Sequence, residues 1–165
     1  MDTEVKSRTA VGNRSMGKSI HSQKELEEVV RYIALETTEM LQKVIGESFP
    51  IKSLTVFAHS QSEFELLTEI LKEIGKPYNY NNGPRVELHE PIEVGESSID
   101  HLRIRKPDPE RPQVGCNDFE VDYTTFKNEY LSQHPNNLTL IERPEYEMIE
   151  LHDKEFAVLA YVVSD

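Results

Sequence analysis

Ile99-Asp-His-Leu-Arg-Ile-Arg105 is the stretch of this chain best equipped for chemistry. Read as a strand, it puts Leu102 and Ile104 on one face and His101, Arg103 and Arg105 on the other. Two guanidiniums and an imidazole in a row suit a carboxylate or phosphate, since Arg offers forked donors and His can move a proton. Two more runs alternate in the same way. Arg85-Val-Glu-Leu-His89 sets Arg85, Glu87 and His89 against Val86 and Leu88, and Cys116-Asn-Asp-Phe-Glu-Val121 sets Asp118 and Glu120 against Phe119 and Val121. If the apolar faces pack under helices, His89, His101, Arg103, Arg105, Asp118 and Glu120 form a candidate ligand-binding set in one polar cup. A solvated face of an antiparallel sheet alternates identically, so both readings stand at this point.

Other motifs carry less. Gly12-Asn-Arg-Ser-Met-Gly-Lys18-Ser19 matches the phosphate-binding loop pattern Gly-x4-Gly-Lys-Ser. That loop works only between a buried strand and a helix that starts at the Lys, and here a polar run precedes it while the nearest helix cap is Ser22. The expectation is an accidental match in a polar tail. For a metal, His59, His89, His101, Asp118, Glu120 and Glu150 offer donor types, but there is no close-spaced pair such as His-x3-His, so no resident metal or other cofactor is expected. A divalent metal is the alternative. Cys116 opens a strand with no base beside it and reads as an inert buried thiol.

The elements that would position these residues occur in a repeating order. Residues 51–57 are strand-like, 63–74 show apolar positions at helical spacing, and strands are expected near 85–89, 92–94 and 99–105. The same order returns as a strand over 116–121, a helix over 123–132, and strands near 138–142, 146–151 and 155–163. Lys106-Pro-Asp-Pro-Glu-Arg-Pro112 joins the copies with three prolines that block strand pairing. The repeat predicts an α+β fold of two tandem βαβββ modules, 51–105 and 115–163, forming a cupped, mostly antiparallel sheet. An extra N-terminal helix over 21–46 is expected from the Ser22 cap, the Glu25 capping box, an apolar stripe through Leu26, Val30 and Ile33, and a stop at Gly46. That stripe must cover the chain's own body or a second copy, so a homodimer is one outcome. Residues 1–20 are polar and read as a disordered tail before a single domain of 21–165.

Composition bounds the partners. With 18 Lys and Arg against 30 Asp and Glu, the net charge of −12 repels nucleic acid and anionic membranes. No apolar run reaches the roughly 18 residues of a membrane span, and the N-terminus lacks a signal-peptide core. A single cysteine rules out an intramolecular disulfide, and the cytoplasm is the expected compartment.

The paired modules resemble the vicinal oxygen chelate superfamily, which includes glyoxalase I and the extradiol dioxygenases. Asn82-Gly-Pro-Arg-Val-Glu-Leu-His-Glu-Pro-Ile-Glu-Val94, Leu102-Arg-Ile-Arg-Lys-Pro-Asp-Pro109, Val114-Gly115 and Asp118-Phe-Glu-Val121 look like its YecM-like branch. In metal-dependent members the ligands come from the first and last strands of each module. The resemblance places Ser53 or Thr55, Arg103 or Arg105, Asp118, and Ala160 or Tyr161 at those positions, a set that does not make the usual cage. Three functions follow as expectations. The first is binding of a small anionic metabolite in the cup without the metal; the second is a metal-dependent lyase, isomerase or dioxygenase of the glyoxalase type using His89, Asp118 and a third carboxylate. The third is a protein-interaction domain that presents its N-terminal helix.

Overall fold

In the computed structural model, which describes residues 19–78 and 84–164, each α-helix begins at a capping side chain. Ser22 accepts from the Glu25 amide at 3.2 Å to start α1, Gln23–Ile45, and Gly46 ends it in the left-handed conformation at φ 75°. Ser60 accepts from the Glu63 amide at 3.1 Å to start α2, Gln61–Ile74. Asp122 accepts from the Thr125 amide at 2.9 Å to start α3, Tyr123–Tyr130, which runs on into a 3-10 turn, Leu131–Gln133.

Eight strands make one open sheet: β1 Ile51–Phe57, β2 Gly75–Pro77, β3 Arg85–Val94, β4 Ser97–Arg105, β5 Gly115–Phe119, β6 Leu138–Glu142, β7 Glu147–Leu151 and β8 Val158–Val163. Their order is β2-β3-β4-β1-β5-β8-β7-β6. Read inward from either edge, it is the second, third, fourth and first strand of a module. The first strands, β1 and β5, meet antiparallel at the centre, which relates the modules by a twofold-like exchange. Only the β1–β4 and β5–β8 pairs are parallel. Two tandem βαβββ modules and an N-terminal helix are therefore the fold of this chain.

The structure moves one strand of the first module. The stretches expected as separate strands near 85–89 and 92–94 are one strand, β3, whose register to β4 shifts between Glu87 and Ile92. Pro91, which has no amide to donate, sits inside that irregular step. The module's second strand is instead β2, in residues that read from sequence as the end of the helix. Gly75 permits it, because a Cβ there would lie 2.7 Å from the Glu87 carbonyl oxygen and the Val86 side chain.

Helix α1 crosses the middle of the sheet, packing on β1, β5, β3 and β8. Leu26, Val30, Ile33 and Leu41 are fully buried there. Its apolar stripe is thus covered by the chain's own sheet, the first of the two outcomes that the stripe allowed. The tail boundary also moves. Ile20 is buried, and its amide donates to the Glu63 carboxylate at 2.6 Å, so the folded body begins by residue 20. The rest of the tail, and all of the phosphate-loop match except Ser19, lies outside the described residues. Among the described residues no helix is long and apolar enough to cross a membrane.

Candidate functional site

Alternation within the strands decides what faces the concave side of the sheet. On β4, Ile99, Leu102 and Ile104 are buried beneath the helices, which leaves His101, Arg103 and Arg105 on the other face. On β5, Gly115, Asn117 and Phe119 face the helix layer, and Cys116 and Asp118 face the cup. Register then gathers the cations, since Arg85 of β3 stands directly opposite Arg103.

A cavity of about 840 Å³ fills this cup. Five arginines line it, Arg85, Arg103, Arg105, Arg111 and Arg143, against two aspartates, Asp108 and Asp118. In a chain of net charge −12 this is a local reversal of sign. The arginines are unequally compensated. Arg111 reaches in from the inter-module linker to Glu150 at 3.1 Å and the Tyr161 hydroxyl at 3.2 Å, and that hydroxyl donates to the same carboxylate at 2.8 Å. Arg105 lies over the Phe57 ring at 5.1 Å and 3.9 Å from Asp108. Arg103 forms no ion pair among the described residues, and its Nε is buried without a partner. Burial, with Arg85 and Arg105 as like charges, holds its guanidinium below the usual range.

Asp118 is not in ion-pair contact with Arg103, although each favours the other's charge. Its carboxylate accepts from the Ser53 hydroxyl at 3.0 Å, and burial outweighs that bond and the nearby arginines to push its pKa above the usual value. His101 is oriented by a carboxylate, its Nδ1 donating to Asp100 at 2.7 Å, while the Tyr78 ring meets it edge-on with centroids 5.1 Å apart. An imidazole fixed through one nitrogen leaves the other for a ligand.

Of the six candidate residues, His101, Arg103, Arg105 and Asp118 line one cavity. Glu120 lines an adjoining cavity that shares Ser53, Arg85, His101 and Asp118 with the first. His89 is exposed and lines neither, because it sits in the part of β3 where the register to β4 slips. The structure adds Arg85, Arg111, Arg143 and Tyr161. Arg85 shares the alternation that marked β4 and needed only the β3–β4 register to join the set. Arg111 and Arg143 come from irregular segments, where sequence periodicity is silent.

A divalent cation does not fit this donor set. At the places where the resemblance expects ligands, the cup presents Ser53 and Thr55, Arg103, Asp118 and Tyr161, of which only Asp118 is a usual ligand, with a guanidinium as its neighbour. Among the described residues no three His, Cys, Asp or Glu side chains gather at one point. Cys116, 6% exposed, has its thiol pushed up to about 12 by burial, so it stays protonated and unreactive at neutral pH. Thiol reagents should label native protein roughly a hundredfold more slowly than protein in denaturant. Fast labelling of the native state would show an open, activated thiolate instead.

No family model and no curated protein matches this chain. Among solved structures, one named "Structural Genomics, Protein EC4020" is similar with a TM-score of 0.64 at 11% identity, over 86% of this chain and 87% of that one. At that identity the likeness concerns the fold.

Proposed function

We propose that this chain is a vicinal oxygen chelate-like protein of the cytoplasm whose cup binds a small anionic metabolite through arginines, in place of the superfamily's metal cage. One observation carries the reading. Arg103 is drawn into the floor of a concave site with no carboxylate in ion-pair contact among the described residues, an arrangement that opposes folding unless a ligand completes it. Arg85 and Arg105 add charge to the same spot, and the oriented His101 supplies a proton donor or acceptor. The one cysteine is a free thiol, in keeping with a reducing compartment.

Calorimetric titration with acetate, benzoate and inorganic phosphate at low salt tests this. Saturable one-to-one binding of at least one anion is expected, weakened about tenfold or more by Arg103→Ala. Binding that survives Arg103→Ala unchanged, or no binding at all, removes the proposal. Elemental analysis of protein purified without chelator provides a second arm, and one bound equivalent of a transition metal would restore the metal-dependent enzyme as the better reading.

A further inference from the structure

The two halves of the cup differ in chemistry. The first module supplies two of the lining cations as a pair: Arg85 and Arg103, in register across β3 and β4, form no ion pair among the described residues, and each keeps a buried Nε without a hydrogen-bond acceptor. The second module adds Arg143 and an apolar patch. There Met148 of β7 and Val163 of β8 are register partners, packed against a small hydrophobic cluster of Phe57, Cys116, Leu159 and Tyr161 that is separate from the main core. Met148 and Val163 line the same cavity as the arginines, and Tyr146, 42% exposed, stands at that end.

Charge balance selects the head group. Two adjacent guanidiniums in no ion pair among the described residues, with Arg105 beside Arg103, call for more negative charge than one carboxylate carries, and a phosphomonoester supplies it at neutral pH. The tetrahedral head also offers three oxygens to the two forks, whereas a carboxylate offers two. Asp118, which accepts from Ser53, is an acid that acts on both arginines, and Arg105 is a further positive neighbour of Arg103. Volume selects the rest. A cavity of about 840 Å³ has room for an organic body beyond the head, and the patch that faces it is apolar and sulfur-bearing, a surface suited to a ring.

We propose that the cup takes a phosphomonoester with an apolar, ring-bearing body, its dianionic head at Arg85 and Arg103 and its body against Met148 and Val163. This rests on the anion-site reading and gives that site a ligand class. The head alone gains only the charge term and the body alone only the burial term, so both ends are needed for tight binding.

Phenyl phosphate, inorganic phosphate and benzoate serve as probes in parallel titrations at fixed ionic strength. Phenyl phosphate is expected to bind about tenfold or more tightly than either of the others. Arg85→Met should abolish its advantage over benzoate, and Arg85→Lys, which keeps the charge without the fork, should recover only part of it. Met148→Ala should weaken phenyl phosphate several-fold while leaving inorganic phosphate unchanged. Circular dichroism melts of each variant separate lost binding from lost folding. If benzoate matches phenyl phosphate and both depend on Arg103, the phosphomonoester class falls and the anion site stands. Equal affinity for phenyl phosphate and inorganic phosphate removes the apolar body, and failure of all three probes to bind removes both proposals.

Discussion

Replacing Gly115 with valine should leave little folded protein. Gly115 opens β5 beneath α1, and a Cβ there would overlap the Thr55 carbonyl oxygen and lie 2.5 Å from Ile33 Cδ1. Real side chains do not reach such contacts, so the β1–β5 pairing would have to open and the helix to lift from the two central strands. That lift would uncover Leu26, Val30 and Ile33 together, and all three are fully buried. Their neighbours cannot yield locally, because the Thr55 oxygen is backbone within a paired strand and Ile33 is locked in the core. A loss of more than about 4 kcal/mol is expected, in the range where a single change consumes most of a small domain's stability. Urea denaturation of Gly115→Ala, the gentler variant, should already show a large drop in midpoint, and a drop of less than about 1 kcal/mol would mean that α1 does not press on β5 as described.

The same glycine marks where sequence reasoning worked and where it ended. Helix α1 was legible in full because each of its signals is local: Ser22 and Glu25 at one end, Gly46 at the other, and a stripe at helical spacing between them. Where that stripe goes was not legible. Covering the chain's own sheet and covering a second copy write the same apolar pattern, and only the missing side chain at Gly115 records that another element comes close. The Gly75–Pro77 strand was missed for a related reason. A three-residue strand has no period to detect, and Gly and Pro at a helix end are stronger signals for a stop than for a start.

At the site, alternation alone placed His101, Arg103 and Arg105 on one face, and the structure puts them around one cavity. Alternation does not say how far along a strand the cavity reaches: His89 keeps the parity of Arg85 but lies within the slip between Glu87 and Ile92, on an exposed stretch that does not line the cavity. Arg111 was beyond reach for another reason. It belongs to a proline-bearing linker, and its place over the cup depends on Glu150 and Tyr161, 39 and 50 positions further along the chain. Contacts of that range follow from topology, not from local spacing.

Arg103→Met should make the unliganded protein more stable while removing its response to anions. A structural arginine behaves the other way, because breaking a buried ion pair strands its partner and destabilises by several kcal/mol. Here no ion pair is broken among the described residues: Asp118 loses the attraction of Arg103 but keeps its Ser53 bond and the nearby Arg85, Arg85 is a like charge to Arg103, and the Arg103 Nε has no acceptor. The guanidinium is held below its usual range chiefly by burial, so its charged form is less favourable in the folded chain than in the unfolded one, and at neutral pH that difference opposes folding. Methionine keeps much of the stem's volume in a flexible, apolar form and relieves the repulsion on Arg85. A gain of about 1–3 kcal/mol in urea denaturation is expected at low salt. In parallel, the phosphate-dependent rise in melting temperature that a ligand-binding native state must show should disappear in the variant. Stability and binding would then move in opposite directions at one residue, the behaviour of a group retained for its ligand. A variant destabilised by about 2 kcal/mol or more, with the phosphate response intact, would instead make Arg103 part of the scaffold and leave the cup without its anion site.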